Sequence, residues 1–584
     1  MKARRTIAGL FALLSVAGLG SGAAAAELPS IAVPPTVVLV TIDNAGFQDV
    51  LGIGDRVSAL ASLGGVALVS QRIPLGTVIE DVFGTRRPFV EMDQGSVAGP
   101  GGGVDASKMR AVLDRVRIAM AALGSRRVSL VFVSRSPSFA GARAGDELGT
   151  LVTANGTGAQ IAGALGAGGR PGAPPPALTS DSSRRDGVVT TSDIAVTLAE
   201  LTGTSVPSSV TGAAIRTTDA PAPFDLYQRY RDQRRLTVPI GVATGLFGTI
   251  AGVFALAVLV LGSRTTHRVR VAGALSAVSV IPLALALLEV GRFPRLTYAV
   301  VIAFLVGVSV LGAAATVILA RRAGAVRAVV WLGMAVLTVL TVEAAQGWPG
   351  AVTPLLGGSQ LDGGRFFGLP NAFIGLVLGS AVFVALGLRR AWTGAALLFA
   401  AGLVVGSPWT GSDLGGAITM CVAAGLWWGL RSRAGAVRTV LTTGAVALAG
   451  AALVVLMQRF LASSPTHITR FAEGAGHAGG IVGTALGRLR IGAHLVVTHP
   501  FALVPVAGVP VALWAVIRPG PRLEPVLREE PALSAALVTI LVGSIVAYVV
   551  NDTGASALGL GFASAVSVLL FVPLIAWRET MVAA

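Results

Sequence analysis

An α/β domain followed by an all-α polytopic transmembrane bundle is the architecture this sequence predicts. Three observations predict it. The 584 residues are 53% hydrophobic and only 13% charged, with a mean hydropathy of +0.76, which is too little charge to cover a water-facing surface. The arginines sit in short clusters between apolar runs, the pattern that orients a membrane protein. Ahead of Leu236, short β-branched runs alternate with helical patterning, and the long apolar runs begin only there.

The elements follow in order. Met1–Arg5 is basic, Thr6–Gly20 apolar, and Ala24-Ala25-Ala26 offers a small-residue cleavage site before Glu27, so residues 1–26 read as a signal peptide. An uncleaved anchor helix is the competing reading. Residues 27–235 read as one extracytoplasmic domain. Thr36–Ile42 and Val128–Val133 are continuous apolar runs of the kind buried in a parallel sheet. Between them, Met109, Val112, Leu113, Val116 and Met120 recur at helical spacing over Ala106–Leu123. A second helix is predicted over Ser192–Leu201, with Ser192 or Asp193 as its cap and Gly203 just beyond its end. Ser96–Gly103 and Gly166–Pro176 read as interruptions rich in Gly and Pro.

Tyr227–Arg235 holds four arginines against one acid directly before the apolar region, which fits an interfacial anchor or contact with anionic headgroups. Residues 236–584 then form the membrane part. About eleven spans are expected there, over 238–262, 269–289, 297–320, 326–345, 367–388, 391–406, 414–430, 436–457, 501–518, 532–550 and 555–577. With the first domain outside, the inner segments carry fifteen arginines and the outer segments after the first span carry seven. That asymmetry agrees with a signal peptide.

Several function classes fall away. The formal charge is +16, yet only Lys2 and Lys108 are lysines and the arginines punctuate spans, so nucleic acid is not an expected partner. Cys421 is the single cysteine, which excludes an intramolecular disulfide and a cysteine-based metal site.

The polar residues of the membrane part gather at the outer ends of the expected spans. They are Glu343, Gln346, Asp362, Arg365, Asn371, Asp413, Asn551 and Asp552. The long loop from His467 to His499 joins them and includes His494. Loops are where polar residues ordinarily go, and that accounts for part of the set. It accounts less well for Asn551-Asp552 in a tight turn, or for acids beside glycines at Asp362–Arg365 and Gly411–Gly416. Glycine lets backbone approach a ligand, and acid beside arginine suits a phosphate, a sugar or a proton. The candidate site is therefore Asp362, Arg365, Asn371, Asp413, His494, Asn551 and Asp552.

Val37–Asp49 (VVLVTIDNAGFQD) resembles the opening strand of the alkaline phosphatase and sulfatase superfamily, whose strand delivers a metal-binding Asp followed by Gly. Gly187–Ile215 resembles the closing segment of such domains, through Asp193-Ile194, Thr197, Gly203, Pro207 and Gly212. Thr179–Arg185 (TSDSSRR) is similar to the lead-in of bacterial membrane proteins that fuse such a domain to many helices. The resemblance covers the two ends of the domain and implies a truncated alkaline phosphatase-like fold in a bacterial plasma-membrane protein. It also exposes departures. Asp43 matches the first metal ligand, but Asn44 replaces the glycine. Ser134-Arg135-Ser136-Pro137 stands where Asp-His-Gly belongs, and no histidine precedes His267. A two-metal centre needs several Asp and His ligands. The expectation is a pseudoenzyme with no cofactor and Asp43 as a vestigial metal ligand, although carboxylates alone can hold Mg²⁺ or Ca²⁺.

Gly364–Asn371 (GRFFGLPN) resembles a segment of O-antigen ligases and polymerases, which implies Arg365 and outer-face histidines acting on lipid-linked sugars. Three functional readings result. The first is an envelope factor whose inactive domain binds or guides a phosphate-bearing lipid or polymer to an outer-face site. The second is a membrane-embedded transferase or ligase acting on lipid-linked glycans. The third is a transporter, against which the predicted inner half of the bundle has almost no acid within a span.

Overall fold

The computed structural model describes residues 35–52, 55–71, 73–137, 142, 148–167, 175–207, 210, 212–361, 367–462, 468, 486, 487, 489, 490, 493, 494, 496, 497, 502–551 and 554–580. The expected signal peptide lies outside them, as does most of Gly166–Pro176.

Eight strands form one mixed sheet. They are β1 (Thr36–Asp43), β2 (Gly64–Ser70), β3 (Val90–Ser96), β4 (Arg127–Ser134), β5 (Leu148–Thr157), β6 (Pro176–Ser180), β7 (Val188–Thr190) and β8 (Ile215–Pro221). The order is β3-β1-β4-β5-β2-β6-β8, with β7 also paired to β2. β1 runs parallel to both of its neighbours, while β5 is antiparallel to β4 and β2. The unbroken apolar run of β1 has a direct cause: the strand is buried on both faces. Val38, Val40 and Ile42 pack on one side with α1 (Phe47–Gly52), α2 (Asp55–Ala61), α4 (Ala106–Leu123) and α5 (Gly158–Ala167). Val37 and Leu39 pack on the other with α3 (Leu75–Phe83) and α6 (Thr191–Thr202). Met109, Val112, Leu113, Val116 and Met120 are the buried face of α4, as their spacing predicts. The start of α6 differs from the expectation. Thr190 is its N-cap, and Asp193 is the third residue of a reciprocal capping box rather than the cap itself.

α7 (Phe224–Leu261) joins the two halves without a break. Its first turns belong to the α/β domain, whose core includes Leu226, Tyr227 and Tyr230, with Phe47 edge-on to Phe224 and tilted against Tyr227. From Leu236 onward its buried residues belong to the bundle. The change in composition at Leu236 therefore marks a change of solvent within one continuous helix.

The bundle continues through α8 (His267–Glu289), α9 (Tyr298–Ala323), α10 (Ala325–Ala345), α11 (Ile374–Leu386), α12 (Ala391–Gly406) and α13 (Leu414–Arg431). It ends with α14 (Ala436–Leu461), α15 (Leu503–Ile517), α16 (Glu524–Glu529), α17 (Pro531–Val550) and α18 (Gly554–Thr580). Among the described residues, seven helices are long and apolar enough to cross a membrane, namely α7, α8, α9, α10, α14, α17 and α18. Three shorter apolar helices, at Asn371–Leu386, α12 and α15, fall below that length. α11 is the buried centre. Gly375 lies so close to α18 that an added Cβ would meet the Ala557 carbonyl, the close approach that small residues permit between membrane helices. α14 lies at the periphery, where Val440, Leu448 and Phe460 are exposed.

The stretch between α10 and α11 ties the two bodies together. Trp348, Ala351 and Leu355 enter the bundle core, while Val352 and Leu361 enter the core of the α/β domain.

Candidate functional site

The edge where β1 and β4 end is where the phosphatase-like resemblance places chemistry. The parallel register sets Ile42 opposite Ser134, so Asp43 and Arg135 leave adjacent strands side by side. Arg135 donates from Nε to Asp43 Oδ1 at 3.0 Å and from Nη2 to Oδ2 at 2.7 Å. The same Nη2 reaches Asp93 Oδ1 on β3 at 3.0 Å. Burial opposes charge on both partners. Even so, the Gly95 amide and Arg135 hold the Asp93 carboxyl below its ordinary pKa, and the two aspartates hold Arg135 above its own. Asn44 adopts the left-handed region with φ of 61°, which asparagine tolerates better than most residues. Its amide donates to Ser136 Oγ at 2.8 Å. A guanidinium already bridges the two carboxylates that a cation would need, so these residues do not fit a metal. Among the described residues, no group of three or more His, Cys, Asp or Glu side chains is placed to hold one.

The second singled-out segment, Thr179–Arg185, is organised by Asp193. This carboxylate is fully buried and accepts four hydrogen bonds. They come from Ser180 Oγ (2.8 Å), Ser182 Oγ (2.6 Å), the Thr190 amide (2.8 Å) and the Ala213 amide (2.9 Å). Burial raises its pKa, and these donors only partly offset that. Pinned from below, the loop turns through Arg184 with φ of 50°, a conformation costly for a residue with a long side chain.

That turn aims two arginines at the bundle. Arg184 stacks on the Phe367 ring at 4.3 Å and donates to the Pro408 carbonyl. Arg185 donates to Gln360 Oε1 at 2.9 Å, and Gln360 in turn donates to the Gly368 carbonyl. Burial and the nearby Arg229 of α7 depress the Arg185 pKa to about 10. Burial likewise lowers that of Arg184.

From Gly368 the contacts run into the bundle mouth. Gly368 abuts Gly411 so closely that a Cβ on Gly368 would collide with the Gly411 backbone. The next residues start α13, where Asp413 Oδ1 caps the helix by accepting from the Gly416 amide at 2.9 Å. Gly415 lies against Asn551, whose own Nδ2 donates to the Ala547 carbonyl at 3.1 Å. Gln458 of α14 closes the group, donating to Ser412 Oγ at 3.0 Å and to the Gly406 carbonyl at 2.8 Å. The structure thus places Asn551 against Gly415, two residues along from Asp413 at the start of α13. It sets Asn371 in the 3₁₀ turn that starts α11, on the chain just past Gly368. His494 is exposed. Asp362, Arg365 and Asp552 lie outside the described residues.

Sequence reasoning missed the partner of Glu343. At the same end of the bundle, Arg292 donates from Nε to Glu289 at 2.7 Å, from Nη1 to Gln346 at 2.7 Å, and pairs with Glu343. Glu343 is wholly buried and also accepts the Gly350 amide at 3.0 Å. Glu289 and Arg292 were the available signal, since their spacing of three in a helical stretch puts them on one face. The Arg184–Arg185 turn had its signal in the TSDSSRR motif, but nothing local showed what it would touch. No family model matches this chain, and neither does any curated protein or solved structure.

Proposed function

We propose that this chain is an integral membrane factor of the bacterial cell envelope. In this reading its α/β domain is a catalytically degenerate relative of the alkaline phosphatases and sulfatases, lies outside the cytoplasm, and guides a phosphate-bearing lipid or polymer to the adjoining mouth of the bundle. About eleven spans and an outward-facing domain belong to the same reading, supported by the placement of the arginines in the sequence.

One observation carries it. Arg184 and Arg185, joined by Arg229, gather positive charge in the seam directly above the Gly368–Asp413–Asn551 mouth. An anion there would offset the repulsion between Arg185 and Arg229, and guanidinium forks match phosphate oxygens. The bridging of Asp43 and Asp93 by Arg135 supports a guiding role over a hydrolytic one. A metal-assisted displacement needs those carboxylates for its ions.

The test is binding of a polyprenyl phosphate to the full-length chain in lipid nanodiscs, followed by native mass spectrometry. Wild type is expected to retain the lipid, and the double variant Arg184→Gln, Arg185→Gln to retain at least about tenfold less, from the loss of two charge-assisted contacts. Arg185→Lys keeps the charge and is expected to fall between them. Equal retention by wild type and the double variant, both with intact thermal transitions, would overturn the reading.

A further inference from the structure

We infer that Glu289 and Glu343 share one exchangeable proton, and that this proton fastens the stretch tying the bundle to the α/β domain. Glu289 ends α8 and Glu343 lies near the end of α10, so each helix brings one carboxyl to the same place. A single guanidinium serves both. Arg292 donates from Nε to Glu289 Oε2 and pairs through Nη2 with Glu343 Oε1, while its Nη1 goes to Gln346. Among the described residues, no other cation is paired with either acid. Two ionised carboxyls on one arginine would leave a net negative charge where Glu343 has no contact with water. Carboxyls placed this way keep a proton between them, because like charges so close cannot both ionise.

The geometry also marks where the proton sits. Glu289 Oε1 is sealed from solvent, and no donor among the described residues reaches it. The Glu343 carboxyl lies within hydrogen-bonding reach of Glu289. A buried acceptor left without a donor is costly, and a proton between the two carboxyls supplies the donor in a charge-assisted O–H···O bond. It comes from water and returns to water through Glu289, whose side chain is 15% exposed. The neighbouring charges are otherwise engaged or outside. Asp232 of α7 accepts the Leu296 amide, Arg235 lies over Tyr298, and Arg295 is exposed. Residues 346–361 contain no titratable side chain.

The acid pair is joined to that stretch by backbone. Glu343 accepts the Gly350 amide at 3.0 Å, Thr353 donates to the Gly291 carbonyl at 3.3 Å, and the Leu355 amide donates to the Leu287 carbonyl at 3.0 Å. Val352 and Leu361 then enter the domain core. Losing the proton sets two negative charges against each other beside Gly350, so the fastening weakens as pH rises.

The experiment uses the full-length chain in lipid nanodiscs. Infrared difference spectra are taken between about pH 6 and about pH 9, both above the ordinary glutamate range, so exposed acids stay ionised. Wild type is expected to show a protonated-carboxyl band, shifted in D2O, that is lost at the higher pH. Glu289→Gln and Glu343→Gln are each expected to lack it, whereas any band from Asp193 is common to all three chains. Hydrogen exchange of residues 350–361, compared between chains at the same pH, reads the fastening. At the higher pH wild type should exchange at least about fivefold faster than Glu289→Gln, whose neutral amide stands in for the protonated acid. At the lower pH the two should agree within about twofold. A wild type without the band, or an undiminished band in either variant, overturns the shared proton. Equal exchange at the higher pH overturns the fastening. No phosphate enters either readout, so failure here is separable from failure of the guiding role.

Discussion

Each half of the molecule sets two carboxylates on one arginine. In the α/β domain, Arg135 lies between Asp43 and Asp93, with side chains 28%, 31% and 51% exposed. In the bundle, Arg292 lies between Glu289 and Glu343, where the exposures are 34%, 15% and 0%. The chemical groups are nearly the same and their surroundings are not. At the sheet edge, water can solvate whichever partner is left alone, so the cluster adds little to stability. At the bundle end, Glu343 has no water and depends on Arg292 and the Gly350 amide. Removing its cation strands a buried charge. The first cluster therefore fills a place where chemistry once needed a metal, in the reading proposed above, while the second fastens α8 and α10 to the stretch that rises into the domain.

The largest expected effect tests that second role. Arg292→Ala should destabilise the full-length chain by about 3 kcal/mol, the low end for breaking a buried pair, because Arg292 itself is partly exposed. Thermal unfolding in detergent measures it. Adding Glu343→Gln to the same chain removes the stranded charge and should recover at least half of the loss. A double variant no more stable than Arg292→Ala would show that Glu343 does not depend on the arginine.

A middle effect is expected at Asp193, which is buried like Glu343 but held by neutral donors instead of a cation. Asp193→Asn keeps the shape yet turns a donor toward the donors of Ser180 and Thr190 or of Ser182 and Ala213, which should cost about 1–3 kcal/mol at acid pH. The pH dependence follows from the sign of the shift. Burial raises the folded-state pKa of Asp193 above the ordinary aspartate value, so between the two the native state binds more protons than the unfolded chain. The stability advantage of wild type over Asp193→Asn is therefore greatest below about pH 4, shrinks as pH rises through that window, and then levels off. Unfolding midpoints of both chains between pH 4 and pH 7 check it. An advantage that grows with pH would mean that hydrogen bonds to the charged form outweigh burial.

How much of this was legible in the sequence depended on whether the cause was local. β1, β4 and α4 were readable because an apolar run or a 3.6-residue spacing reports burial directly. β2 and β5 were not, since GGVALVS and LGTLVTANGT carry glycines and polar residues that a strand signal lacks. The cap of α6 was displaced from Ser192 or Asp193 to Thr190, because a capping box uses its acid three residues inside the helix. Asp413 and Asn551 were readable as polar residues at span ends, while the packing of Asn551 against Gly415 at the start of α13 was not, because it depends on how α13 and α17 meet. The pairing of Arg135 with Asp43 and Asp93 joins three strands far apart in sequence, and only the sheet order brings them together.

The smallest expected effect sharpens the comparison most. Arg135→Ala should cost under about 1 kcal/mol, since all three side chains reach water and an exposed ion cluster is screened. What it should change is selectivity for cations. With the guanidinium gone, Asp43 and Asp93 remain on adjacent strands, two positions apart in register, with the carboxylate oxygens that Arg135 held released, the ligand type Ca²⁺ prefers. Millimolar Ca²⁺ should then raise the unfolding midpoint of Arg135→Ala and leave wild type unmoved, because a ligand that binds only the folded state stabilises it. Arg292→Ala should show no such rescue, because Glu343 is closed to a hydrated ion. The contrast separates two meanings of the same motif. If Ca²⁺ restores the domain variant alone, Arg135 stands in the place of an exchangeable cation. If it restores neither, the arginine is an ordinary surface ion pair and the metal-replacement account of the β1–β4 edge falls.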